Sequence, residues 1–134
     1  MSFDNDARVR ETIVQLTEEL LVAITSGDWD KYVELCDPSL SAFEPEAKGF
    51  LVDGLDFHRF YFALPRNPDT SIQSTIVAPY VRVMGDVAVI AYVRLTQKAT
   101  AGGSPITTSM QETRVWQKQG GVWKHVHFHR SPCE

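Results

Sequence analysis

Val9, Ile13, Leu16, Leu20 and Ile24 recur every three or four residues, with Glu, Gln, Arg and Thr between them, which is the spacing of one buried stripe on a helix. The pattern predicts a long amphipathic helix over residues 6–26. Gly27 is placed to end it, and Asp28 to cap a second, shorter helix that carries Trp29, Tyr32, Val33 and Cys36 and closes at Asp37 and Pro38. Residues 40–44 and 49–52 read as a pair of small strands. Asp53 and Gly54 then open a third helix, whose buried face is expected to hold Phe57, Phe60, Tyr61 and Leu64. After a proline-bearing loop at 65–68 the pattern turns to strands. The first covers 71–84 with a bulge or bend at Pro79, since proline donates no ladder hydrogen bond. The Gly85-Asp86 turn leads into 87–97, the loop 101–105 into 106–118, and Gly120-Gly121 into 122–130. Helices first and an antiparallel meander afterwards make the class α+β. We expect one domain, residues 1–134, built as a cone. In it a strongly curved antiparallel sheet wraps the long N-terminal helix and leaves a cavity at the wide end.

Composition narrows the partners. A net charge of -4 argues against nucleic acid, whose phosphates need a basic surface that releases counterions. Residues 1–6 are polar and acidic, without a basic region followed by an apolar one, and no apolar run reaches membrane-spanning length. A cytoplasmic location and no membrane partner are expected. Cys36 and Cys133 lie far apart with no metal-type spacing, so both are read as free thiols.

Candidate chemistry rests first on three arginines. Strand alternation puts Arg94 on the face of Tyr92, Ile90 and Ala88, Arg114 with Trp116 and Met110, and Arg130 with Phe128 and Val126. A guanidinium is charged at any working pH and almost never sits unpaired in an apolar layer. One such residue is usually a surface ion pair; three with inward parity in consecutive strands point to a shared anion pocket. Glu44, in step with Ala42 and Leu40, is placed to counter the arginines or to act as a base, and Glu46 reads equally as a solvated carboxylate. His58 and Tyr32 are further pocket candidates, against the commoner alternative of a packed tyrosine and a core-edge histidine. His125, His127 and His129 alternate on the face opposite Arg130 and, with Trp123, are read as a half-buried surface that meets another subunit. A zinc site there would want a further fixed ligand that the sequence does not offer, so no metal is assigned. No glycine-rich phosphate loop, GxSxG turn or CxxC is present, and no cofactor is expected.

The blocks Cys36-Asp37-Pro38, Ala42-Phe43-Glu44-Pro45-Glu46-Ala47, Gly54-Leu55-Asp56-Phe57-His58-Arg59-Phe60-Tyr61-Phe62, Ala91-Tyr92-Val93-Arg94-Leu95-Thr96-Gln97, Glu112-Thr113-Arg114-Val115-Trp116 and Val126-His127-Phe128-His129-Arg130 closely resemble the association (hub) domain of calcium/calmodulin-dependent protein kinase II. The resemblance covers almost the whole chain in order. It implies the nuclear transport factor 2-like cone and a large homo-oligomer, with a dimer as minimal unit and two stacked rings of a dozen or so subunits. It further implies that Arg94, Arg114 and Arg130 line a deep pocket, that His58 belongs to a site for small carboxylates, and that Glu44 and Tyr32 lie in the same region. The connection 63–71 is short here and lacks the tryptophan found near the pocket mouth of neuronal hubs. The chain holds no kinase domain, autoinhibitory segment or basic calmodulin target, and is read as a stand-alone relative of the hub. The cone fold also hosts isomerases, dehydratases and cyclases, which leaves a cavity enzyme as the alternative, with Glu44 or His58 as base. Fold alone is an analogy, and three fixed positive charges make a nearby carboxylate a poorer base, so no catalytic residue is assigned.

Overall fold

The structure is a computed structural model that describes residues 3–133; residues 1, 2 and 134 of the expected domain lie outside the described residues. Helix α1 runs from Phe3–Ser26 and buries Ile13, Leu20, Leu21 and Ala23, with Val9, Leu16 and Ile24 half-buried beside them. Thr17 sits in that apolar stripe because both of its hydrogen-bonding capacities are used. Its hydroxyl donates to the Ile13 carbonyl at 2.8 Å and accepts from the Trp116 indole at 3.2 Å, which removes the cost of burying it. No described helix is long and apolar enough to cross a membrane.

Gly27 ends α1 in the left-handed region at φ +73, with the Asp28 amide donating back to the Ala23 carbonyl at 2.8 Å. Arg66 reaches over this turn and donates to the carbonyls of Thr25 at 2.7 Å and Ile24 at 3.0 Å. A Cβ at position 27 would lie 2.2 Å from Arg66 Nε. Gly27→Ala therefore combines backbone strain with displacement of the Arg66 clasp. It is expected to lower stability by about 1–2 kcal/mol from the strain alone, and an unchanged denaturation midpoint would contradict this account of the turn.

Helix α2 spans Trp29–Leu35 and is capped by Asp28, which accepts from the Lys31 amide at 3.1 Å. It ends one residue before Cys36, where strand β1, Cys36–Phe43, begins. The strand thus starts four residues earlier than the sequence pattern indicates. Pro38 fits because pairing to the neighbouring strand is irregular between Cys36 and Ser41. A 3-10 turn over Pro45–Ala47 and the two-residue strand β2, Val52–Asp53, follow; Phe50 and Leu51, expected in a strand, are exposed loop residues.

Helix α3, Asp56–Phe62, turns a different side inward from the one expected. Phe60, at 62% exposure, and Leu64 face outward and Tyr61, though partly exposed, borders the cavity, whereas His58 is buried and Phe57 and Phe62 are half-buried. Aromatic residues occupy so many of its positions that periodicity cannot choose a face. The rings beneath it do: Phe62 packs against Tyr32 at 4.8 Å and Trp29 at 5.2 Å between centroids, and His58 against Phe128 at 5.6 Å.

Four long strands complete the fold: β3 Thr70–Met84, β4 Val87–Thr100, β5 Ile106–Gln119 and β6 Val122–Pro132. The sheet order is β2-β1-β6-β5-β4-β3. All neighbours are antiparallel except β1 and β6, which pair in parallel because β1 reaches β6 through the whole meander. β3 shifts register between Val77 and Tyr80, at the expected Pro79 bulge. A second shift in β6, between the pairs Val115–His127 and Trp116–His125, has no counterpart in the sequence reading and decides where three histidines point.

Candidate functional site

Alternation in β4 and β5 places Arg94 and Arg114 on the inner face, as the pattern requires, with Tyr92, Glu112 and Trp116 beside them. Arg114, 1% exposed, spends all of its nitrogens on the protein. Nε donates to the Tyr92 hydroxyl at 2.8 Å, Nη2 to Glu112 Oε1 at 2.9 Å, and Nη1 lies 3.4 Å from His125 Nε2. Its guanidinium also rests on the Phe128 ring, 4.6 Å from the centroid. Arg94 donates from Nη1 to Glu112 Oε2 at 3.3 Å and from Nε to Ser74 Oγ at 2.9 Å. Tyr92 donates to Glu112 Oε1. Burial alone would raise the Glu112 carboxyl, but the two guanidinium charges and the tyrosine outweigh it and hold it at about 2.

Arg130, on β6, approaches from the other side. Nη2 donates to Glu46, and Nε lies 3.6 Å from Glu44 Oε1. The side chain of Arg130 is 18% exposed, which makes it the most accessible of the three. His58 Nδ1 stands 3.3 Å from Glu44 Oε2, yet the angles do not make a hydrogen bond. Glu44 Oε2 and His58 Nε2 are both buried without a hydrogen-bond partner. Burial, with Arg114 and Arg130 nearby, lowers His58 to about 4, so it is neutral near pH 7. Burial raises Glu44 against the opposing charge of Arg130. Tyr32, buried on α2, is raised well above a free phenol by burial and remains protonated.

These groups surround one cavity of about 190 Å³, the room of roughly six waters. All six residues singled out from the sequence, Arg94, Arg114, Arg130, His58, Tyr32 and Glu44, line it, as does Glu46. Ile24, Phe62 and Phe128 give it an apolar side. Two members of the polar network were missed, Glu112 and Tyr92. Glu112 lies two residues before Arg114 and so shares its face; a carboxylate in step with a buried arginine was the available signal.

The histidine trio does not form one surface. The β6 register shift makes Val126 the extra residue, so His125 turns inward to full burial while His127 and His129 stay on the outer face. Trp123 also packs toward the core. Because arginine only donates, the Arg114 contact makes His125 Nε2 an acceptor and sends its Nδ1 proton toward Cys36 Sγ, 3.4 Å away. Burial and Arg114 keep His125 well below the ordinary histidine range, and burial pushes the Cys36 thiol up to about 12. His127 Nδ1 lies 2.7 Å from Ser41 Oγ. Among the described residues no three His, Cys, Asp or Glu side chains are grouped to hold a metal ion, and both cysteines are free.

A family model described as the calcium/calmodulin dependent protein kinase II association domain matches residues 9–134. The chain is 49% identical over 132 residues to the delta subunit of calcium/calmodulin-dependent protein kinase type II from Oryctolagus cuniculus, a match over 96% of this chain and 25% of that protein. The chain therefore spans about a quarter of the length of that relative. Among solved structures, the hub homology domain from Chlamydomonas reinhardtii is 46% identical, with a TM-score of 0.88 over 94% of this chain and 99% of its own. The association domain from C. elegans is 43% identical, with a TM-score of 0.89 over 96% and 98% of the two chains. At 22% identity, a nuclear transport factor 2-like protein from Salmonella enterica matches with a TM-score of 0.76 over 96% of this chain and 94% of its own, a likeness of fold alone.

Proposed function

This chain belongs to the calcium/calmodulin-dependent protein kinase II association domain family, and from that premise we propose that it is an assembly domain whose arginine-lined pocket binds a small carboxylate. Hub domains of this family form homo-oligomers. For this chain we propose a large homo-oligomer of one domain per chain, built from dimers into two stacked rings, in the cytoplasm. The segment 43–64 supports assembly. It leaves Phe43, Phe50, Leu51, Phe60, Tyr61 and Leu64 exposed, apolar side chains for a neighbouring subunit to cover.

One observation carries the ligand reading: Arg94 and Arg130, on the wall of one cavity, keep guanidinium nitrogens with no hydrogen bond to another described residue, suited to charge-assisted contacts with a carboxylate. Glu44 Oε2 and His58 Nε2 also lack a hydrogen-bond partner on that wall, which costs stability; only a ligand that carries a donor beside its carboxylate removes the cost at the Glu44 oxygen. The enzyme alternative is the weaker fit. His58 at about 4 is a feeble base near neutral pH, and Glu44 faces Arg130. Calorimetric titration with pentanoate tests the pocket. Arg94→Ala and Arg130→Ala are each expected to weaken binding about tenfold or more while the oligomer persists; unchanged affinity in both would sink the carboxylate reading.

A further inference from the structure

The outer face of the sheet carries a pair of side chains that the cavity does not use. Residues alternate along this part of β6, so Phe128 points inward to Arg114 while His127 and His129, on either side of it, stand together on the outer face. Both line one open hollow of about 580 Å³ with Gln111, Thr113 and Ser131, and among the described residues no lysine or arginine lines it. A cation entering the hollow therefore meets no fixed positive charge at its wall.

The neighbouring strands hold the two rings. Ser41 and Phe43 of β1 stand opposite His127 and His129. The Phe43 ring lies 6.3 Å from the His127 ring and 5.5 Å from the His129 ring between centroids, so both imidazoles pack on one aromatic wall. Ser41 Oγ is 2.7 Å from His127 Nδ1. With the Nδ1 proton given to that hydroxyl, the Nε2 lone pair is left free. A histidine that binds a metal is held in the same way, its other ring nitrogen fixed by an acceptor behind it. On the other flank Thr113 of β5 stands opposite His129 and sets an oxygen beside that exposed ring.

Two histidines two residues apart on a strand have Cα atoms about 7 Å apart on one side of the sheet. A zinc ion holds imidazole nitrogens at about 2.0–2.1 Å, so a chelate needs the two to approach to about 3.4 Å, which side chains standing side by side reach by leaning together. We infer that His127 and His129 form a two-imidazole site for a divalent transition ion of the zinc, nickel and copper class, with water in its remaining positions. Imidazole suits those ions, whereas magnesium and calcium ask for carboxylate and carbonyl oxygens. Two protein ligands fall short of the four of a closed structural centre, so the ion is exchangeable and the fold does not depend on it. The site faces away from the arginine cavity and stands whatever that cavity binds.

Calorimetric titration of the full chain, free of any affinity tag, with zinc chloride at pH 7.5 tests the assignment. One ion per chain is expected, with no binding of magnesium at the same concentration. His127→Gln and His129→Gln are each expected to weaken zinc binding about tenfold or more, and the two together to abolish it. The His129 position is exposed and keeps the test readable if the half-buried His127 variant fails to fold. Ser41→Ala removes only the group that orients His127 and is expected to cost about tenfold. Cys133→Ser is expected to leave zinc binding unchanged; its half-buried thiol, just past the end of β6, is the other group nearby that could hold zinc. Binding that survives the double histidine substitution, or that disappears with Cys133, overturns the site. No binding up to millimolar zinc overturns it as well.

Discussion

Arg114→Ala is expected to remove about 3–5 kcal/mol of stability, the cost of leaving a buried charge without its partner. Glu112 has a fully buried side chain, and Arg114 is the nearer of its two guanidinium partners, at 2.9 Å against 3.3 Å for Arg94. The substitution also strips the Tyr92 hydroxyl of a donor, the His125 ring of its Nε2 contact and the Phe128 face of its cation. A domain of this size has only about 5–15 kcal/mol in total, so the variant sits near the limit of folding. Replacing Arg114 and Glu112 together by apolar residues of similar volume is expected to cost far less, since neither charge is then stranded. Urea denaturation at one fixed protomer concentration, needed because assembly contributes to stability, reads both. A loss below about 1 kcal/mol for Arg114→Ala would show that the buried network is not what holds this face of the sheet.

Acid is expected to unfold the protein in two stages whose order follows from the directions of the shifts. His58 and His125 both bind protons less readily when folded than the ordinary histidine value of 6.5. The unfolded chain therefore takes up protons first as pH falls, and the stability these residues contribute is complete above 6.5 and lost below it. For His58 the loss reaches about 3 kcal/mol by pH 4. Glu112, held at about 2 against 4.5, contributes stability that is present above 4.5 and lost as pH drops toward 2. Glu44 is shifted upward by burial. It works in the opposite sense, gaining a proton in the folded state first and offsetting part of the histidine loss. Denaturation midpoints should thus be flat above pH 6.5, fall below it and fall more steeply below 4.5. His58→Gln is expected to flatten the upper part of that decline. Midpoints that stay constant or rise from pH 6.5 to 4 would contradict the neutral, buried state of these histidines.

The arginine face was legible because β4 and β5 keep a strict two-residue alternation, so parity carries Arg94 and Arg114 inward without further information. Arg130 was placed by the same rule. The rule failed four residues upstream because one extra residue, Val126, bulges from β6. The bulge at Pro79 was visible because proline marks it, while Val126 carries no mark. His125 consequently changed from a surface residue to the neutral acceptor that steadies Arg114. The face of α3 was equally hidden, since Phe57, Phe60, Tyr61 and Phe62 put aromatic rings on several sides of one short helix. Only the Trp29, Tyr32 and Phe128 rings, distant in sequence, select His58 and Phe62. Glu112 was overlooked for another reason: a buried carboxylate is rare enough that its position beside Arg114 in the pattern was not read as an internal partner.

Sedimentation velocity of the purified chain at micromolar concentration tests the central claim, that this is an assembly domain. A single species many times the 15.1 kDa of one chain is the predicted result. A monomer or a simple dimer with no heavier boundary would contradict it, and would leave the exposed apolar residues of segment 43–64 without the partner surface that this account gives them.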